Sequence, residues 1–125
     1  DMKNRLAIIE ETNPALAVSI HQNSYPEESV SGMQVFYYKD SQEGTQAAHL
    51  MQETMIDCLK PQKEREAKEN GTYYLLKKTS VPIIIVECGF LSNPTEAELL
   101  TSSAYQEKTA WAIHMGILRY LNMTD

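Results

Sequence analysis

Two ionisable side chains stand where an uninterrupted apolar run stops, His21 after Leu16–Ile20 and Glu87 after Ile83–Val86. In open α/β sheets the ligand crevice lies beyond the carboxyl ends of the strands, so both side chains can enter one cleft although 66 residues separate them in sequence. A neutral imidazole in such a cleft is a natural zinc ligand, and a carboxylate shielded from water can exchange protons near neutral pH. A histidine at a strand end serves equally as a hydrogen-bonded structural residue. A carboxylate directly after four β-branched residues is costly unless it is paired or used, which makes Glu87 the stronger chemical signal.

The elements that must position these residues are legible from periodicity. Met2, Leu6 and Ile9 recur at helical spacing until Asn13-Pro14 stops them. The run Ala15–Ile20 has the composition of a strand buried on both faces of a parallel sheet, followed by a surface loop over Gln22–Ser31 and a second strand over Gly32–Tyr38. Ala48, Met51, Met55, Cys58 and Leu59 step by three and four, predicting a helix over Thr45–Leu59 that Pro61 ends. Lys60–Asn70 reads as a solvated linker of mixed charge, and Tyr73–Leu76 as a short strand. Val81–Val86 is the most β-branched run and should form the central strand.

Thr95 with Glu98 makes a capping-box pair for a short helix, and a longer helix follows over Ser103–Leu121. Its expected buried stripe is Ala110, Ile113, Ile117 and Leu121, broadened by Trp111 and Leu118, laid across a sheet face. Strands alternating with helices give an α/β class with a mostly parallel central sheet flanked by helices.

The chain has 125 residues, enough for one domain. Its net charge of −6 is the wrong sign for gripping a phosphate backbone, so no nucleic-acid partner is expected. The apolar run Ser80–Val86 is far short of the ~20 residues of a membrane span. Cys58 and Cys88 lack metal-type or disulfide spacing and read as two buried thiols. The helical period of ~3.6 residues turns His49 about 100° from its helix's apolar stripe, towards solvent, while His114 reads as a packing histidine. Tyr37 and Tyr38, ending the second strand, are candidates for lining a groove. The triplets Asn70-Gly71-Thr72 and Asn122-Met123-Thr124 match the glycosylation pattern by chance.

The stretch Val18-Ser19-Ile20-His21-Gln22-Asn23 and the stretch Ile85-Val86-Glu87-Cys88-Gly89-Phe90-Leu91-Ser92-Asn93-Pro94, followed by Glu96 and Leu99-Leu100, resemble the zinc-dependent N-acetylmuramoyl-L-alanine amidases of bacterial cell walls. The closing segment Ala112–Leu121 is most similar to the germination-specific spore-cortex subgroup. The resemblance implies a Zn2+ hydrolase of the amide between N-acetylmuramic acid and the L-alanine of the peptidoglycan stem peptide. In it His21 matches a metal ligand and Glu87 the catalytic acid/base, with Asn23, Gly89 and Arg65 as further candidates for substrate binding. It also implies action outside the cytoplasm, in the wall, a periplasm-like space or the spore cortex.

The family takes two further zinc ligands, a histidine in an Asp-x-Gly-His-Gly type segment and a glutamate, both upstream of the region matched here. The 125 residues therefore resemble roughly the carboxyl-terminal two-thirds of a single catalytic domain, truncated on the amino-terminal side. Asp1 in place of an initiator Met fits a piece of something longer, whose signal or anchor is not in this stretch. A sheet stripped of one side should self-associate as a dimer or be poorly stable alone. The alternative reading is a non-catalytic wall-binding or regulatory module derived from an amidase, and a second is an α/β hydrolase acting on a different amide.

Overall fold

A computed structural model describes residues 1–123, so Thr124 of the second Asn-x-Thr triplet lies outside the described residues. The elements in chain order are α1 (Met2–Thr12), β1 (Ala17–Asn23), β2 (Gln34–Tyr37), α2 (Gln42–Leu59), β3 (Lys68–Glu69), α3 (Tyr74–Lys78), β4 (Ile83–Phe90), α4 (Pro94–Leu100) and α5 (Ser103–Met123). Four strands form one sheet in the order β1-β4-β2-β3. The pairs β1–β4 and β2–β3 are parallel, while β2 runs antiparallel to β4, so the expected mostly parallel sheet is a mixed one.

β4 is central, with every residue from Ile83 to Gly89 buried. Its odd-numbered residues Ile83 and Ile85 face a layer made by α1 and α3, with Leu75, Leu76 and Phe36 around them. Its even-numbered residues Ile84, Val86 and Cys88 face a second layer built from α2, α4 and α5. The sequence expectation for β1 is corrected: with β4 as its one neighbour it is an edge strand among the described residues, and Ile20 is 60% exposed.

Local chemistry explains where the helices start and stop. α1 ends at Asn13 in the left-handed conformation, whose N–H donates to Ile9 O at 2.9 Å. α2 begins three residues before the expected Thr45, because the Ser41 hydroxyl caps it by accepting from Gly44 N at 2.9 Å. It stops at Lys60, left-handed at φ 47°, just before Pro61. The cap of α4 is Asn93 and not Thr95: its side chain accepts from Glu96 N at 3.0 Å, and Pro94 takes the first turn, where no N–H is needed.

Two further expectations give way to the structure. Tyr73–Leu76 is not a strand; the Asn70 side-chain Oδ1 accepts from Thr72 N at 2.8 Å and Tyr73 N at 3.0 Å, turning the chain into α3, where Lys77 and Lys78 complement the last turn. The charged stretch Lys60–Asn70 is not merely a linker, since Lys68 and Glu69 form β3 opposite Phe36 and Tyr37.

The buried stripe of α5 is Thr109, Ala112, Ile113, Gly116 and Tyr120, so of the predicted residues only Ile113 is buried, and Trp111 is 60% exposed. The helix is rotated because it packs on α2 as well as over the sheet, and at Gly116 an added Cβ would fall on Met51 Sδ. Cys88 is buried but Cys58 is only half-buried, and both thiols are free. Burial, with the charge of Glu87 adding to it, pushes the Cys88 thiol up to about 11.

Gly116→Leu should destabilise the fold by about 1–3 kcal/mol through overpacking against Met51. The exposed Leu118→Ala should stay within about 0.5 kcal/mol of the parent. Urea midpoints of the two variants check both values.

Candidate active site

The parallel register pairs His21 of β1 directly with Glu87 of β4. Neighbouring strands lie about 4.8 Å apart, and residues in register point to the same side, so the two side chains share one face of the sheet. Both strands run on past the expected ends, to Asn23 and Phe90. Between His21 and Asn23 the register shifts, and Asn23 pairs with Phe90. The Asn23 carbonyl then accepts from Leu91 N at 2.8 Å, which fastens the end of β1 to the turn after β4.

Glu87 is 4% exposed. Its Oε1 accepts from the Tyr73 hydroxyl at 2.9 Å, while its Oε2 is buried without a hydrogen-bond partner. A buried carboxylate oxygen with nothing to accept from is expensive, and such an atom points to a ligand or a proton transfer. His21 is half-buried, with Nε2 2.8 Å from Ser19 Oγ two residues earlier on the same face. That contact orients the ring and leaves Nδ1 as the nitrogen free for a ligand.

Sequence reasoning missed Tyr73. Its ring lies 6.4 Å from that of His21 and 6.2 Å from that of Phe36, centroid to centroid. Burial, the hydrogen bond to Glu87 and the Glu87 charge, in that order, push the Tyr73 hydroxyl up to about 12, so it remains a proton donor throughout the neutral range. The available signal was Asn70-Gly71, a turn-forming pair directly ahead of it.

Asn23 accepts from Ser24 N through Oδ1 at 2.8 Å and shapes the turn leaving β1. Gly89 has φ 157°, and a Cβ there would lie 3.3 Å from both Glu96 Oε1 and Leu100 Cδ1, so its need for glycine comes from α4. Arg65 donates from Nε and Nη2 to Ser31 O at 2.9 and 2.7 Å, and its guanidinium lies 5.8 Å from the Phe90 ring centroid. Gln34, the β2 partner of Glu87, donates to Glu66 O at 2.8 Å and so ties the Arg65 segment alongside the site. A groove of about 340 Å³ runs here, with Lys63, Arg65 and Lys68 on its walls beside Glu64 and Glu66.

His49 is exposed against Tyr37, as expected for a solvent-facing residue. His114 is exposed beside Trp111 and is not a packing histidine, because α5 is rotated. Neither histidine joins His21. Tyr37 pairs with Ile84 and packs with the α2 and α5 layer, on the face opposite Glu87, whereas Tyr38 packs on the α1 and α3 side. Among the described residues no three His, Cys, Asp or Glu side chains converge to hold a metal ion. A catalytic zinc site takes three protein ligands, and His21 offers one nitrogen donor of that kind, so these residues fit one part of such a site and do not complete it.

Residues 1–119 match the family model described as N-acetylmuramoyl-L-alanine amidase. The chain is 38% identical over 120 residues to the germination-specific N-acetylmuramoyl-L-alanine amidase of Bacillus subtilis, covering 96% of this chain and 50% of that protein. The CwlD amidase of Clostridioides difficile, solved in complex with the GerS lipoprotein, superposes with a TM-score of 0.93 at 42% identity over 98% of this chain and 62% of that one. The amidase AmiC2 of Nostoc punctiforme superposes with a TM-score of 0.90 at 35% identity, over 98% of this chain and 66% of that one. The chain thus spans half the length of its Bacillus subtilis relative. A match along nearly its whole length, shared in sequence and in fold, means that the chain belongs to the N-acetylmuramoyl-L-alanine amidase family.

Proposed function

We propose that the protein containing this chain is a zinc-dependent N-acetylmuramoyl-L-alanine amidase that hydrolyses the amide joining N-acetylmuramic acid to the L-alanine of the peptidoglycan stem peptide. The observation that carries this reading is the in-register pairing of His21 with Glu87, whose Oε2 is buried and unpartnered. In this reading His21 is one zinc ligand of a set that the described residues do not complete. When bound, zinc supplies a Lewis acid that polarises the amide carbonyl and acidifies water.

Glu87 performs the proton transfers. Its Oε2 accepts the proton of the attacking water and delivers it to the amide nitrogen as the amine departs. The wall of strand β4 and the aromatic rings of Tyr73 and Phe36 limit water around that oxygen. Lys63, Arg65 and Lys68 offer cations to stem-peptide carboxylates, with Asn23 and Gly89 shaping the backbone at the end of the site. The substrate places the enzyme outside the cytoplasm, and the germination-specific relative favours the spore cortex over the vegetative wall.

In the full-length protein, Glu87→Gln should lower the rate of muropeptide cleavage by about 10²–10⁴-fold while leaving zinc content unchanged. His21→Ala should lose zinc by elemental analysis. A full-length protein that binds wall and zinc stoichiometrically yet hydrolyses nothing would instead be a non-catalytic wall-binding module. Taken alone, the 125-residue chain should pair through the open β1 edge around Ile20, giving a dimer by size exclusion with light scattering. A monomer at every concentration would overturn that expectation.

A further inference from the structure

We infer that Tyr73 is a positioning residue for the hydrolysis, fixing the Glu87 carboxylate so that Oε2 alone handles the proton. The inference rests on the acid/base reading of Glu87 and deepens it. A carboxylate rotates about its terminal bond between equivalent oxygens unless something distinguishes them. Here the Tyr73 hydroxyl, 14 residues earlier in the chain, donates to Oε1 at 2.9 Å and commits that oxygen. Oε2 is left buried with no partner.

The backbone that carries the phenol is held as well as the ring. Asn70 Oδ1 accepts from Tyr73 N at 3.0 Å, and from Thr72 N and Thr72 Oγ1 at 2.8 and 3.0 Å, which pins the turn. Tyr73 caps α3 through its carbonyl, which accepts from Lys77 N at 3.1 Å. The rings of Phe36 and His21 flank the phenol on the sheet side. Such a held donor contributes to rate by keeping the reacting oxygen in place, since small displacements of a catalytic group cost large factors.

A group that only satisfies a buried charge would leave kcat untouched in enzyme that is still folded. A group that binds substrate would raise KM. Positioning lowers kcat and leaves KM in place.

The test measures kcat and KM for muropeptide cleavage by the zinc-loaded full-length protein carrying Tyr73→Phe, which removes only the hydroxyl, with folding verified by circular dichroism at the assay temperature. We expect kcat to fall about 10- to 100-fold, KM to stay within about twofold, and zinc stoichiometry to stay unchanged. Tyr74→Phe, in the α1 and α3 layer, should keep the parent rate. Asn70→Ala, which frees the turn and keeps the hydroxyl, should lower kcat by a smaller factor with KM again unmoved, and it decides the matter if Tyr73→Phe does not fold. An unchanged kcat, a loss expressed in KM, or a loss of zinc would each overturn the positioning role. Glu87→Gln at the parent rate would overturn the acid/base reading and this inference together, whereas inactive Glu87→Gln beside fully active Tyr73→Phe overturns this inference alone.

Discussion

The site depends on the parallel pairing of β1 with β4. A slip of one residue would turn every side chain of β1 to the other face of the sheet and separate His21 from Glu87. β4 cannot set the register by its hydrophobic pattern, because both its faces are buried and, Glu87 apart, apolar. The ends of the ladder set it instead. Ala17 N donates to Pro82 O at 2.9 Å at one end, and Leu91 N donates to Asn23 O at 2.8 Å beyond the register shift at the other. Ser19 and His21 on one face of β1, against Val18 and Ile20 on the other, supply the alternation that β4 lacks.

Two glutamates nine residues apart show how differently the fold uses a carboxylate. Glu96 Oε1 accepts from Phe90 N at 2.9 Å, and both its oxygens accept from Gly32 N at 3.0–3.1 Å, so its charge is spent on holding the loop before β2 against the end of β4. Glu87 is more deeply buried and has one partner, Tyr73, on one oxygen. Both oxygens of Glu96 are engaged, whereas Glu87 keeps one buried oxygen without a partner.

The α2 and α5 layer stiffens the opposite face of the sheet. Its close contact is made possible by Gly116 lying over Met51, and Arg119 donates to Thr54 Oγ1 at 2.7 Å across the same two helices. The site itself lies on the other side, between β4 and the turn that launches α3. The helical layer and the candidate site are thus separated by the thickness of one strand, with Val86 and Cys88 facing the helices and Glu87 facing Tyr73.

Residue order by itself determined the α/β class, the central strand around Ile83–Val86, the helices over most of their lengths, and His21 and Glu87 as the groups to examine. These are carried by local periodicity and by polar residues that interrupt apolar runs, properties of neighbours in the chain. The caps at Ser41 and Asn93 were blurred because a capping side chain is polar and falls outside the apolar repeat. The reversal of β2, the exposed flank of β1, the rotation of α5 and the placement of Tyr73 against Glu87 were decided by tertiary structure alone. Each depends on which distant surface an element meets, and a stripe such as Ala110, Ile113 and Ile117 is no less apolar than the one that α2 selects. Tyr73 resembles any other aromatic in sequence, and only the turn at Asn70 brings its hydroxyl within 2.9 Å of a carboxylate that the sheet has already buried.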